Sequence, residues 1–353
     1  MLHAEAEGEF ERLNAPLLRH FASLVNELGG DLPDLLRRAD IDEDTFADGS
    51  GSLTYRQAIR LLEIAAEALA CPDLGMRLAF RQRGGRMFGP LGQVMRNSRT
   101  FGEALKFACD HSNAHSRAAR LWLQQVTDEG HVFAGHELLL GNIANRAQAM
   151  EQILLIGHLE AMEMTGGYAR ARRIHFRHEP VAPRETYRRQ FGCEVCFGEP
   201  VDGMVFSAED LASPILQQSH RIHQEMVAFI ERNFPHQRLP FHAEVRGLIM
   251  RRLAQGDCSN SEVARAMNIH HRTLRRRLTQ EGSRFQAVKD EVRRDLTLYY
   301  LERTALDFRS ISEKLGFAEQ SIFSRSCRRW FGQSPSKLRQ ALLEPVAPGH
   351  TGS

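Results

Sequence analysis

One helix-turn-helix pattern occurs twice near the C-terminus, about fifty residues apart, and each copy ends in an arginine-bearing helix. The first copy runs over 261–282 and the second over 310–332. A duplicated short-helix, turn, short-helix pattern constrains the end of this chain to an all-α module of two units. One such unit places a helix in one major groove. Two on a single chain can read successive groove segments without a partner subunit.

The residues of each copy divide into an inner and an outer set. In the first, Ser261 is the expected N-cap, and Val263, Ala264 and Met267 form the buried stripe of a short helix. Asn268 tolerates the positive φ that such a turn needs, and Ile269 anchors it. Leu274 and Leu278, four apart, face the core, so Arg272, Thr273, Arg275 and Arg276 point away from it. The second copy repeats this logic with one extra residue in the turn. Ile311 and Leu315 are buried, Gly316 turns, Phe317 anchors, and Phe323 and Cys327 replace Leu274 and Leu278. Its outer face then carries Glu319, Gln320, Ser321, Ser324 and Arg325.

These side chains suit the reading of base edges. Arginine donates bidentately to guanine O6 and N7, glutamine pairs with adenine N6 and N7, and a good pair discriminates by roughly 1–3 kcal/mol. Arg277, Arg328, Arg329 and Lys337 are better placed to meet phosphates, which fix register without carrying sequence information. Between the copies, Phe285, Val288, Val292, Leu296, Tyr299 and Leu301 mark a long amphipathic helix over about 284–302. A rigid connector of that kind would hold the recognition helices roughly 34 Å apart, one DNA turn.

Charge divides along the same line. Residues 244–343 hold 20 Lys and Arg against 11 Asp and Glu, net +9, which leaves net −7 for the rest of a chain whose total is +2. A basic module on an acidic body suggests a polyanionic partner for one part only.

Upstream, Leu17 to Leu28, Tyr55 to Leu69 and Phe101 to Asn113 carry apolar residues at helical spacing. Leu121, Leu123 and Val126, the turn-like Asp128-Glu129-Gly130 and then Val132 to Leu138 read as a hairpin. A helix over about 142–165 stops at Gly166-Gly167, and short strands are expected at 173–178, 194–197 and 203–207, with a helix at 184–190. A further helix is expected over 215–232. The expected organisation is an α+β domain over 1–210, a helical linker over 211–240, the all-α double helix-turn-helix domain over 241–343 with its long joining helix, and a disordered tail over 344–353.

Residues 244–340 resemble the DNA-binding domain of the AraC/XylS transcription regulators. The resemblance is carried by Gly-Phe-Ala-Glu-Gln-Ser-Ile-Phe-Ser-Arg (316–325), Arg-Arg-Trp-Phe-Gly-Gln-Ser-Pro-Ser-Lys-Leu-Arg (328–339) and Arg-Thr-Leu-Arg-Arg-Arg-Leu-Thr-Gln-Glu-Gly (272–282). It implies base contacts by Arg272, Arg275 and Arg276 from the first recognition helix and by Gln320, Ser321, Ser324 and Arg325 from the second. Cys327 departs from the family pattern, which has a bulky aromatic there, and is expected to loosen the second unit. Phe-Gly-Pro-Leu-Gly (88–92), Ile-His-Phe-Arg-His (174–178) and Tyr-Arg-Arg-Gln-Phe-Gly-Cys-Glu-Val-Cys-Phe-Gly (187–198) resemble the arabinose-binding-like N-terminal domain of one subgroup. That resemblance implies a sensor of a small-molecule effector and names neither effector nor pocket. By family analogy the regulator is an activator acting with RNA polymerase on double-stranded promoter DNA, and a homodimer stays open.

Other constellations read more simply. Cys193 and Cys196 form one CxxC without a second pair, and His175 with His178 or His220 with His223 are isolated pairs, so neither metal nor cofactor is expected. Gly84-Gly85 and the Gly89/Gly92 pair lack the setting of a phosphate loop. No nucleophile-base set emerges, and no enzymatic activity is expected. A DNA-repair enzyme with the same module would need an activated cysteine, and a non-specific architectural protein would favour no sequence. The acidic N-terminus lacks a signal-peptide pattern, no apolar run reaches bilayer length, and six scattered cysteines suit a reducing cytoplasm.

Overall fold

The computed structural model describes residues 10–13, 17–43, 46, 53–83, 86–126, 130–141, 143, 145–234, 241–253 and 258–343. The expected tail over 344–353, the Gly84-Gly85 pair and the Asp128-Glu129 turn lie outside these residues. The chain divides into two compact units, residues 1–140 with 145–239 and residues 141–144 with 240–353.

The first unit joins helices to one sheet. Its helices are α1 (Phe21–Glu27), α2 (Leu32–Arg38), α3 (Tyr55–Ala68), α4 (Leu74–Arg81), α5 (Gly89–Arg96) and α6 (Phe101–Asp110), followed by strands β1 (Ala119–Val126) and β2 (His131–Leu138). Then come α7 (Ala147–Thr165), β3 (Arg173–His175), α8 (Arg184–Phe191), β4 (Glu194–Cys196), β5 (Asp202–Phe206), α9 (Ala208–Ala212) and α10 (His220–Asn233). The sheet order is β1-β2-β5-β3-β4, antiparallel throughout except for the parallel pair β3–β4. Trp122 pairs with Gly135, where a Cβ would sit 2.1 Å from the indole, so the hairpin needs glycine at that position.

α7 is the central element and is buried almost all round. Burying its polar side chains demands partners. Gln152 donates to the Leu17 carbonyl (2.7 Å) and to Gln82 (2.8 Å), and Gln148 donates to the Pro72 carbonyl at 2.8 Å. Glu151, fully buried, accepts from the Tyr187 hydroxyl and lies 3.0 Å from His178 Nε2. Burial raises its carboxyl above the ordinary glutamate range. The helix expected in the linker, α10, packs along α5 inside the first unit, where Ser219 N–H donates to Asn97 at 2.8 Å.

The second unit is all helix: α11 (Phe241–Arg252), α12 (Asn260–Ala266), α13 (His271–Gln280), α14 (Phe285–Arg303), α15 (Phe308–Lys314), α16 (Gln320–Phe331) and α17 (Pro335–Leu343). One apolar core runs through it, from Val245 and Ile249 through Val263, Leu274, Leu278 and Val292 to Ile311, Leu315, Phe323 and Cys327, each no more than 1% exposed. α12–α13 and α15–α16 are the two helix-turn-helix units, and α14 joins them.

Candidate functional site

The first turn is built by its backbone. Asn268 has φ 53°, as its residue type suggested, and the Ile269 N–H returns to the Ala264 carbonyl at 3.0 Å. The N-cap is Ser259 and not the expected Ser261. Ser259 Oγ accepts from the Glu262 N–H (3.2 Å) while the Glu262 carboxylate accepts from the Ser259 N–H (3.1 Å), a reciprocal box that places Ser261 inside the helix. His270 caps α13, its Nδ1 accepting from the Arg272 N–H at 3.3 Å. With Leu274 and Leu278 fully buried, Arg272, Arg275 and Arg276 emerge together on the exposed face. None of the three has an ion-pair partner among the described residues.

In the second unit Gly316 takes φ 63°, and a Cβ there would approach the Leu253 carbonyl to 2.8 Å, so the turn requires glycine. Phe323 and Cys327 lie fully buried, as their offset from Leu274 and Leu278 predicts. Burial pushes the Cys327 thiol up to about 12. Gln320, Ser321 and Arg325 are exposed at the start and middle of α16, and Ser324 is half-buried beside them. The Ser321 hydroxyl donates to Glu319 at 2.9 Å, so a carboxylate sits at the leading edge of this face.

The four side chains expected at phosphates separate into two kinds. Arg328 and Lys337 are exposed. Arg329 is bound to Asp290 at 2.8 Å, and the half-buried Arg277 stacks its guanidinium 4.5 Å over the Phe241 ring. The structure thus gives Arg277 and Arg329 contacts inside the unit that helical spacing does not reveal.

Several residues brace the recognition helices without facing outward. Arg293, buried on α14, donates to the carbonyls of Leu315 (2.9 Å) and Gly316 (2.6 Å) and lies 3.9 Å over the Phe317 ring. It fixes the second turn to the joining helix. Glu281, just after α13, accepts from the backbone N–H groups of Phe241 (2.7 Å) and His242 (2.9 Å) and so caps α11. Burial raises the Glu281 carboxyl, but these hydrogen bonds outweigh it and hold it below the ordinary glutamate range. Arg246 pairs with Asp295, tying α11 to α14. Sequence reading missed all three, because each depends on a partner at least 22 residues away.

The first unit contains an apolar cavity of about 70 Å³ between α5, α6, α7 and the β1–β2–β5 part of the sheet. Phe88, Leu91, Leu121, Ile153 and Met204 form much of its wall, and His115, His136 and Glu160 also line it. Both histidines are buried, and among the described residues three of their ring nitrogens (both of His115 and Nδ1 of His136) find no hydrogen-bond partner. Desolvation pushes His115 down to about 4 and His136 down to about 3, so both rings are neutral near pH 7. Neither histidine stood out in the sequence, where they lie 21 residues apart on different elements.

The remaining candidates find local partners. Burial is the largest effect on every cysteine and pushes each thiol up, Cys193 to about 11, opposite to the activation of a nucleophilic thiolate. His178 meets Glu151, His175 lies 3.6 Å from Glu199, and His220 meets Gln224. No group of three metal-ligating side chains gathers among the described residues, and no helix there is long and apolar enough to cross a membrane.

Comparison with known proteins matches both parts of the chain. Residues 29–215 match the family described as the arabinose-binding domain of AraC transcription regulators, N-terminal, and residues 263–341 match a helix-turn-helix domain family. The chain is 32% identical to the HTH-type transcriptional regulator VirS of Mycobacterium tuberculosis over 93% of its own length and 96% of that protein's. It is 28% identical to the ornithine utilization regulator of Pseudomonas aeruginosa over 90% of its length and 93% of the relative's. The crystal structure of the transcriptional regulator CdpR from Pseudomonas aeruginosa aligns with 88% of this chain and 96% of its own, at 21% identity and a TM-score of 0.40.

Proposed function

The chain belongs to the AraC family of HTH-type transcription regulators, and from that premise we propose that its second unit reads an asymmetric promoter site under the control of a small molecule bound by the first. The observation that carries this reading is the pair of outward faces held at equivalent positions of a duplicated core. Arg272, Arg275 and Arg276 form one face, and Gln320, Ser321, Ser324 and Arg325 form the other. The joining helix α14 has 19 residues, about 28 Å at the helical rise of ~1.5 Å per residue. That length supports recognition helices working in neighbouring turns of one groove.

In this reading the seven face residues contact bases, while Arg328 and Lys337 meet phosphates. Arg277 meets the backbone from its place over the Phe241 ring, and Arg329, exposed and paired with Asp290 through one nitrogen, meets it with its other donors. The reading extends to activation, with RNA polymerase as protein partner in the cytoplasm, and admits a homodimer. An effector shifts the regulator only if it binds one functional state better than the other.

Selection of duplexes from random DNA, followed by competitor and salt titration, tests the reading. One site should be preferred by at least ~10³-fold, with log affinity falling steeply against log salt. Equal affinity for every duplex would overturn it.

A further inference from the structure

We propose that the apolar cavity of the first unit is the effector site, and that its ligand is a compact uncharged molecule whose apolar body carries one hydrogen-bonding head group, a hydroxyl, carbonyl or amide, seated against His115 and His136. The proposal rests on the regulator reading only in calling this ligand an effector.

Three observations carry it. The wall is built mainly of aliphatic, aromatic and methionine side chains contributed by α5, α6, α7 and the sheet, which suits an apolar body. Met95 and Met204 belong to that wall, and their unbranched side chains can rotate to admit a ring-sized group. Second, His115 and His136 line the cavity, and among the described residues both ring nitrogens of His115 and Nδ1 of His136 are buried without a partner. An unmet polar atom in an apolar wall is costly, and a ligand head group that satisfies it recovers that cost. A neutral imidazole has one donor and one acceptor nitrogen, so either a hydroxyl or a carbonyl meets it.

The third observation is charge. Glu160 is the carboxylate in the lining, and Arg96 already pairs with it at 2.5 Å. The neighbouring histidines are neutral for the reason of burial given above. An ammonium would therefore find no free counter-charge, and a carboxylate would find one only by protonating a buried imidazole. A sugar meets a different obstacle, because two imidazoles, the Ser112 hydroxyl and the already paired Glu160 carboxylate are too few to satisfy four or more hydroxyls in such a wall. The cavity thus favours a ligand unlike the one in the matched family's description.

The test uses the full chain and four probes, benzyl alcohol, benzoate, benzylammonium and L-arabinose, with binding followed by thermal shift and calorimetric titration. Benzyl alcohol should raise the Tm with concentration, and the other three should bind at least ~10-fold more weakly. His115→Leu combined with His136→Leu should weaken benzyl alcohol by at least ~10-fold. Leu121→Phe, at a half-buried position of the wall, should block it by filling the space, so the outcome does not hang on the folding of the double variant. Benzoate, benzylammonium or arabinose matching benzyl alcohol overturns the proposal. So does binding of no probe, or benzyl alcohol binding untouched by both variants. Duplex preference measured on the same preparation separates the two readings. Probe binding without duplex preference sinks the regulator reading and spares the cavity, and duplex preference without probe binding does the reverse.

Discussion

In the first helix-turn-helix unit the recognition helix α13 turns three arginines, with no ion-pair partner among the described residues, to solvent over the aliphatic Leu274 and Leu278. In the second, α16 offers Gln320, Ser321 and Arg325 behind the Glu319 carboxylate, over a core in which Phe323 lies 5.9 Å from Phe317 and Phe317 lies 6.2 Å from Trp330. One backbone plan thus carries two chemistries. A cluster of guanidinium groups attracts any duplex through its charge, and it selects only where guanines lie in reach. A mixed face next to a carboxylate is less attractive overall and more demanding about which base edges it meets. The division expected is one of emphasis: both units discriminate in their own half of the site, the first adds much of the affinity and its salt dependence, and the second relies on discrimination alone. Its own packing should matter more there, because a selective contact tolerates less misplacement.

The sharpest way to break this comparison is to damage the shared core on the side of α16 and watch the side of α13. Phe323→Ala removes a fully buried ring and should destabilise the second unit by about 3–5 kcal/mol. Hydrogen exchange on the intact chain should show protection lost over 308–331 well before 260–280. Equal loss over both segments would show that the two units melt as one and that their comparison is only of surfaces.

How far these differences could be read in the sequence depends on whether their cause is local. Leu274/Leu278 and Phe323/Cys327 were legible because helical spacing alone sets which side faces inward, and the hairpin of β1 and β2 was legible because strands alternate. Asn268 and Gly316 were legible as residues that accept positive φ. The N-cap was misread although its signal was present, since Ser259 has Glu262 three residues on and Ser261 has Ala264. The ring contact of Arg277 could not be read from α13, because its partner Phe241 lies 36 residues upstream. The cavity was invisible for the same reason, being assembled from residues 88 to 204 of the chain.

Arg293 tests the brace on the second turn. Its buried guanidinium serves two carbonyls of the second turn and the Phe317 ring, so Arg293→Met should cost about 1.5–3 kcal/mol by leaving those carbonyls without a charged donor. DNA contacts made by α16 should weaken while those of α13 persist, which footprinting of the two halves of the selected site would reveal. Loss in the α13 half instead would mean that α14 braces both units alike.

Single face residues should then show the division directly. Arg276→Ala and Arg325→Ala should each remove about 1–3 kcal/mol of discrimination, confined to opposite halves of the site. Lys337→Ala should weaken all duplexes evenly and reduce the salt slope by about 1. Binding isotherms on duplexes altered in one half at a time provide the measurement. Uniform weakening by all three variants would refute the assignment of base-reading roles.

The smallest expected effect concerns how each unit begins. Ser259→Ala removes the hydroxyl that caps α12 and should cost about 1 kcal/mol, seen as faster exchange of the Glu262 amide. α15 begins instead at Asp307, whose carboxylate accepts from the Ser310 N–H at 2.7 Å; hydrogen bonding by Ser310, its side chain first and this N–H second, holds the carboxyl below the ordinary aspartate value of 3.8. Its folded pKa is the depressed one, so its contribution is full above 3.8 and is lost as pH falls through the folded value. The Ser259 hydroxyl does not ionise in that range. Exchange of the Ser310 amide should therefore accelerate in acid in the parent chain, and Asp307→Asn, which keeps a neutral acceptor, should flatten that pH dependence. An unchanged acid response in Asp307→Asn would place the pH sensitivity elsewhere in the second unit.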